Sequence, residues 1–174
     1  NPSLAWKANE NTTITVEMDH LDDSRTPDLG TINLAANDTY AIYDLPENKF
    51  LGFKSDKTNT KNTTYSIRLD RKINEVFSVK ASYFKSDLNT FDKGASLASI
   101  NNEPANIRRR SYSEGTRKDI NQVLQLDLVA QDLKTGSIKH TFQVGLDYNT
   151  NKTGTTSATA GAVDQINVRS EEHT

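Results

Sequence analysis

The sequence contains one dense cluster of cationic side chains suited to binding an anion. Arg108, Arg109 and Arg110 are consecutive, and a guanidinium group pairs with a carboxylate or phosphate through two parallel hydrogen bonds. The surrounding "NIRRRSY" favours an extended chain, in which successive side chains point to opposite faces. The three arginines therefore cannot form one patch. Arg109 is our candidate ligand contact, with plain solvation of the cluster as the alternative.

A second cluster, "EMDHLDD", places carboxylate and imidazole groups close together in Asp19, His20, Asp22 and Asp23. Such groups are ligands for divalent cations. The stretch lacks the glycine and the regular spacing of a calcium loop, however. We therefore predict an acidic strand end and no metal site.

The sequence offers no catalytic constellation. It has three histidines and no cysteine, and neither a glycine-rich phosphate loop nor a nucleophile elbow is present. We predict that the protein is not an enzyme and has no cofactor. The net charge of -2, from 21 basic and 23 acidic residues, gives no case for nucleic-acid binding.

The elements that position these residues are predicted from a repeated alternation of apolar and polar side chains. In "GSIKHTFQVGLDYN" the apolar set falls on one side of an extended chain and the polar set on the other. The same pattern predicts six or seven strands and no helix. The strands lie around Leu4 and Trp6, then in 12–19, 64–70, 77–84, 124–130 and 138–149, with 106–112 continuous with the strand at Leu124.

The predicted connections alternate between short and long. Tight turns are expected at 9–11, 74–75 and 134–136, and long connections at 22–62, from 88 to beyond Pro104, and after Asn149. Tight turns on one side and long loops on the other are typical of an outer-membrane barrel. The lack of a run of 18 apolar residues excludes a transmembrane helix. The hydrophobic content of 34% is low for a soluble globule with a single large core but fits transmembrane strands.

Charged residues indicate which face of the strands meets water. Basic side chains facing lipid at the bilayer midplane would cost about 2–4 kcal/mol each, so the charged face should line a hydrated interior. We expect Trp6, Tyr83, Tyr112 and Tyr148 to form interfacial girdles, with core packing as the alternative, and His140 to lie at headgroup level. The charged set is Glu17, Asp19, Arg68, Asp70, Lys80, Asp127, Lys139 and Asp147.

The order of these features resembles the barrel of TonB-dependent siderophore receptors, the ferric-hydroxamate and pyoverdine-receptor group. The resembling stretches, which cover the chain up to about Tyr148, are "PSLAW" before an Asn-rich turn, "PDLG" early in a long loop, "FLGF" late in that loop, and "TGSIKHTFQVGLDY". The resemblance implies an all-β fold, an antiparallel up-and-down meander that is a partial slice of a 22-stranded transmembrane β-barrel.

The resemblance further implies a barrel that is closed by an N-terminal plug. Such a receptor imports ferric siderophores with energy passed through TonB. The partners would be a ferric siderophore, outer-membrane lipid, and the TonB complex through a plug region missing from this chain. The location would be the bacterial outer membrane, and the fragment would be inactive alone. We expect residues 1–168 to form the partial barrel domain. We interpret 169–174 as a non-native tail, with a natural charged tail as the alternative.

Candidate ligand contacts follow from the long loop, which the resemblance places outside the cell. Aromatic side chains offer large rigid contact surfaces, so Tyr40, Tyr43, Phe50 and Phe53 join Arg109 as candidates for touching a siderophore. Packing of the loop against its neighbours is the alternative. A soluble all-β surface adhesin or glycan-binding module remains the rival function, and a general porin shares the architecture.

Overall fold

Extended segments dominate this protein because its β-branched and aromatic residues recur at every second position. The computed structural model describes residues 1–27, 50–97 and 107–167. Within these ranges every regular element is a strand. The strands are β1 (Ser3–Asn9), β2 (Thr12–Arg25), β3 (Lys57–Lys72), β4 (Phe77–Leu97), β5 (Ile107–Thr135) and β6 (Ile138–Asn167).

The six strands form one sheet in the order β1-β2-β3-β4-β5-β6, an antiparallel meander. The predicted all-β fold is therefore confirmed, and the order is consistent with one stretch of an up-and-down barrel. The register of β1 on β2 pairs Leu4 with Val16 and Trp6 with Ile14. The apolar residues of the two strands thus share one face, as the alternation predicted.

The short turns are built by local polar chemistry. The side-chain oxygen of Asn9 accepts a hydrogen bond from the Asn11 amide at 3.0 Å. The side-chain oxygen of Asn74 accepts hydrogen bonds from the amides of Val76 at 2.9 Å and Phe77 at 2.8 Å. Gly136, with φ of 64°, supplies the left-handed conformation between β5 and β6 that a side chain would disfavour.

Two strands, β4 and β6, run much further than the alternation predicted. β4 continues to Leu97, through a segment expected to be loop from residue 88, and β6 continues from Asn149 to Asn167, where a polar loop was expected. β2 continues to Arg25 and β3 begins at Lys57, so both strands extend into the range 22–62 that was predicted to be a long connection. Most residues on both faces of these extensions are polar or small, so the period-two signal is too weak to predict them. The expected continuity of 106–112 with the strand at Leu124 is confirmed by β5 from Ile107.

The chain divides into two compact units, which are described separately. The first consists of Asn1–Asp22, Lys61–Asn89 and Arg117–Gly154. The second contains the described parts of Asp23–Thr60, Thr90–Thr116 and Thr155–Thr174. Among the described residues, the only buried hydrophobic side chains are Leu51, Ala95 and Ala130. A conventional hydrophobic core is therefore absent from the described part of the sheet.

Candidate functional site

The apolar rows of the first unit are exposed rather than covered. Leu126, Phe142 and Leu146 are 47%, 54% and 72% exposed, although large apolar patches are rare on soluble monomers. No second layer of the described chain covers them. The exposed set on this face also includes Leu4, Trp6, Val16, Met18, Tyr65, Ile67, Tyr83, Leu124, Leu128, Ile138, Val144 and Tyr148.

The opposite face of the same unit is tied together by polar contacts between neighbouring strands. Ser66 donates to Glu17 at 3.1 Å, Gln143 donates to Asp127 at 3.0 Å, and Thr153 donates to Asp119 at 2.6 Å. Each pair joins residues that the alternation places on the charged side. The two faces therefore have distinct chemistry, one apolar and one hydrogen-bonded and charged, as expected where one face meets lipid and the other water.

The part of the chain that the structure describes contains no helical segment that could span a bilayer.

The first unit contains most of the expected interfacial aromatics. Trp6 and Tyr148 are well exposed beside the apolar rows, and Tyr83 is 36% exposed. Tyr112 lies instead in the second unit, where its hydroxyl donates to Glu114 at 2.8 Å. This hydrogen bond to a carboxylate raises the pKa of the Tyr112 hydroxyl.

The second unit contains a folded turn made from the "FLGF" stretch and the residues that follow it. The Asp56 amide donates to the carbonyl of Phe53 at 2.9 Å, and the Phe53 amide donates to the Asp56 carboxylate at 2.8 Å. The same carboxylate accepts the Ala95 amide of β4 at 3.2 Å. Asp56 is only 5% exposed. Its carboxylate therefore holds the turn against β4 by accepting hydrogen bonds from backbone amides of both segments.

Arg110 of β5 fastens the same turn from the other side. Its Nη1 donates to the carbonyl of Gly52 at 2.8 Å, and its guanidinium carbon lies 4.3 Å from the centre of the Phe53 ring. Its Nε and Nη2 donate to the two oxygens of Asp164 on β6 at 2.8 and 2.5 Å. One guanidinium thus joins the turn, β5 and β6 by a bidentate ion pair and a cation–π contact.

The Arg110 guanidinium also controls the protonation of its partner. Its hydrogen bonds, with a smaller coulombic contribution, lower the pKa of the Asp164 carboxyl from its usual value, against a weaker opposing effect of burial. Because its pKa is lowered, the Asp164 carboxyl is ionised at neutral pH and pairs with Arg110 as a carboxylate. Asp164 lies sixteen residues beyond Tyr148 along β6, outside the apolar rows.

The structure places the predicted ligand contacts in different surroundings. Tyr40 and Tyr43 lie outside the described residues. Phe50 is 39% exposed, whereas Phe53 is half-buried beneath Arg110. Arg109 is exposed, and strand alternation points it to the face opposite Arg110 and the turn.

The sequence reasoning missed the three residues that organise this unit, namely Asp56, Arg110 and Asp164. The alternative of plain solvation for the arginine cluster is wrong for two of its members, because Arg108 is 1% exposed and Arg110 is held by the contacts above. The alternation of side chains along the strand could have distinguished these arginines, because it puts Arg108 and Arg110 on one face and Arg109 on the other.

The acidic stretch "EMDHLDD" is divided between the two faces of β2. The His20 ring nitrogen Nδ1 lies 2.9 Å from the Thr63 hydroxyl, and Asp22 pairs with Lys61 at 3.0 Å. Among the described residues, no three His, Cys, Asp or Glu side chains are grouped so that they could hold a metal ion.

An exposed apolar face, a charged opposite face and a six-stranded meander are features of an outer-membrane receptor barrel. Comparison with known proteins supports this class. The chain is similar to the metal-pseudopaline receptor CntO of Pseudomonas aeruginosa strain UCBPP-PA14, with 31% identity over 149 residues. Its similarity to CntO of strain PAO1 is of the same extent.

The matched region is 84% of this chain and 20% of each relative. The chain thus spans about a fifth of the length of the curated relatives it matches. No family model matches the chain. The similarity supports the class of TonB-dependent outer-membrane receptors, in agreement with the resemblance found in the sequence.

Proposed function

We propose that this chain is part of the barrel wall of a TonB-dependent outer-membrane receptor that imports a ferric siderophore. The observation that carries the proposal is the exposed apolar face of the first unit, opposite a charged and hydrogen-bonded face. A soluble protein would cover such a face, whereas a barrel strand presents it to lipid. The protein acts in transport and performs no chemistry on its ligand.

The ligand is a metal chelate. The relatives are named as receptors for metal-pseudopaline, which supports a chelated metal as the cargo, and the sequence resemblance narrows the class to ferric siderophores. Phe50, Phe53 and Arg109 remain our candidate contacts, together with Tyr40 and Tyr43. Energy is supplied through TonB, whose contact the resemblance assigns to an N-terminal plug region of such receptors.

Membrane insertion is tested through Trp6, which is the single tryptophan of the chain. With the chain inserted in vesicles, brominated lipids should quench the fluorescence of Trp6 strongly because its side chain faces the bilayer. A water-soluble quencher should have little effect. The reverse order of quenching would favour the soluble adhesin.

Transport is tested in cells that express the complete receptor. Radiolabelled iron should accumulate when it is supplied as a ferric siderophore, and accumulation should stop when TonB is deleted. Uptake of metal-pseudopaline without uptake of any ferric siderophore would support the receptor class but contradict the proposal that the ligand is a ferric siderophore. Uptake that is unaffected by loss of TonB would overturn the mechanism.

A further inference from the structure

Three lysines of the first unit, which we call the basic rim, lie where strands end at the short turns. Lys7 is two residues from the end of β1, Lys72 is the last residue of β3, and Lys134 is one residue from the end of β5. All three side chains are exposed. Because β1, β3 and β5 alternate with the other strands of the sheet, an ammonium group recurs about every 10 Å along this end.

The basic rim belongs to the charged face of the sheet. On β1, Lys7 directly follows Trp6 of the exposed apolar set. On β3, Lys72 lies three residues beyond Leu69, which the alternation places on the apolar side. An odd separation along a strand puts side chains on opposite faces. Both lysines therefore point away from the surface that we assign to lipid.

Lys134 reaches the same face through the hairpin of β5 and β6. The two-residue turn 136–137 pairs Lys134 with Lys139 across the hairpin. Lys139 follows the apolar Ile138, so it lies on the charged face, and residues paired across two strands share a face. All three members of the basic rim are thus directed to the hydrated side.

Backbone hydrogen bonds join the neighbouring short turns to one another. The Lys72 amide donates to the carbonyl of Asn11, in the turn between β1 and β2, at 2.8 Å. The Gln131 amide of β5 donates to the carbonyl of Val76, in the turn between β3 and β4, also at 2.8 Å. The backbone that carries the basic rim is therefore held in a fixed order along the end of the sheet.

The short-turn end has a net positive charge, although the charge of the whole chain is -2. In positions 7–11, 71–76 and 131–139, five cations less three carboxylates leave two positive charges. Lys139 is offset by Asp132 in an ion pair of 3.2 Å. Among the residues that the structure describes, no ion pair includes a lysine of the basic rim. These three ammonium groups are therefore available to an anionic partner.

We propose that the basic rim binds the carboxylates of the peptidoglycan layer beneath the outer membrane. The short turns of an outer-membrane barrel face the periplasm, so the inference rests on the proposed membrane placement and is independent of the imported ligand. Peptidoglycan carries carboxylates that repeat along a polymer, which matches ammonium groups that repeat along the rim. A lipid headgroup fits less well, because the rim lysines lie on the face turned away from the acyl chains.

The test measures cosedimentation of the complete receptor, purified in detergent, with peptidoglycan sacculi stripped of attached proteins. Lys7→Gln, Lys72→Gln and Lys134→Gln should each weaken binding roughly two- to fivefold, the effect of one exposed charge pair. The variant with all three substitutions should bind at least roughly tenfold more weakly. Binding of the unmodified receptor should also weaken at high salt, because the screening length falls from about 10 Å at 0.1 M to about 3 Å at 1 M.

The matched control removes the same number of charges far from the short turns. Lys61, Lys118 and Lys152 are exposed on β3, β5 and β6, and their combined replacement with glutamine should leave sacculus binding unchanged. Equal loss in this control, or no loss in the threefold rim variant, would overturn the proposal. Undiminished binding to sacculi whose carboxyl groups have been amidated would also overturn it, since no anion would then be recognised.

Two further measurements separate this inference from its rivals. Vesicles of phosphatidylglycerol are tested in parallel, and a loss on rim substitution that is seen with the vesicles but not with sacculi would assign the rim to lipid and overturn the inference. Each variant is first required to keep the heat-modifiable gel mobility of a folded barrel. The threefold rim variant should still import its metal chelate, so loss of sacculus binding is distinguishable from failure of the proposed transport.

Discussion

The guanidinium of Arg110 lies over the ring of Phe53, 4.3 Å from its centre. Phe53 belongs to the connection that precedes β3, and Arg110 belongs to β5. The contact therefore fixes the end of a long connection on strands that come later in the chain. It holds Phe53 half-buried, while Phe50, three residues earlier, stays exposed. The two phenylalanines of "FLGF" thus differ in role, one anchoring the turn and the other available at the surface.

Replacing Arg110 with lysine should loosen this turn. Lysine retains the positive charge but loses the bidentate pairing with Asp164 and the planar stack on Phe53. Hydrogen exchange of the amides in 50–56 should become roughly tenfold faster, which corresponds to about 1.4 kcal/mol of local opening free energy. Arg109→Lys is the matched control and should leave exchange unchanged. Equal acceleration in both variants would show that the Arg110 contacts do not anchor the turn.

Replacing Asp56 with asparagine should release the turn from β4. The Phe53 amide donates to Oδ2 of Asp56, and the Ala95 amide donates to both carboxylate oxygens. Asparagine keeps one accepting oxygen but loses the charge, and hydrogen bonds to a charged group contribute about 1.5–3 kcal/mol against about 0.5–1.5 kcal/mol for neutral ones. We expect faster exchange of the Ala95 amide and a lower unfolding midpoint. Asp92→Asn, at an exposed position of β4, should change neither quantity.

The ion pair between Arg110 and Asp164 should make the second unit sensitive to acid. Because the folded pKa of Asp164 is lowered, the pair stabilises the fold fully above the unfolded carboxyl pKa, about 4. This contribution is lost as the pH falls through the folded pKa. Carbon-13 NMR of the carboxyl group should give a titration midpoint below 3.8. Arg110→Gln should raise the midpoint, and an unchanged value would contradict the assigned cause.

The sequence predicted the strands best where their two faces meet different solvents. In 138–149 the apolar and polar sets alternate, and β6 begins at Ile138 as expected. Beyond Asn149 the residues are mostly Thr, Ser, Gly and Ala on both faces, so the pattern carries no period. The strand continues because threonine favours extended backbone and the neighbouring strand supplies hydrogen bonds. Neither factor is visible in the alternation.

The partners of Arg110 could not be predicted from the sequence for a different reason. Asp164 is 54 residues away along the chain and Gly52 is 58 residues away. Local spacing predicted that the three arginines alternate between faces, which agrees with a buried Arg108, an exposed Arg109 and a half-buried Arg110. Which face receives the turn depends on how the connection folds back, and no local pattern specifies that.

Replacing Gly136 with alanine should weaken the hairpin formed by β5 and β6. The glycine has φ of 64°, and a Cβ at that conformation costs about 1 kcal/mol even where no neighbouring atom obstructs it. A lower unfolding midpoint in detergent would measure the effect. Gly154→Ala is the control, because a Cβ there meets open space and its φ is not positive. Equal destabilisation of both variants would show that the left-handed conformation at Gly136 is not the cause.

The assignment of the two faces can be tested with adjacent residues of β5. The chain has no cysteine, so Leu126→Cys and Asp127→Cys each create a unique site for a spin label. Since neighbouring side chains of a strand point to opposite faces, the label at 126 should collide with oxygen dissolved in the lipid. The label at 127 should collide with a water-soluble nickel chelate.

Arginine substitutions on the same strand distinguish a lipid-facing surface from one that is merely exposed. Leu126→Arg should cost about 2–4 kcal/mol if the side chain faces the bilayer interior, and a lower unfolding midpoint in lipid vesicles would measure this. Gln125→Arg, on the charged face beside Ser82, should be far milder because its guanidinium group stays hydrated. If both arginines were tolerated equally and both spin labels met the nickel chelate, the apolar rows would face water and the receptor assignment would fail.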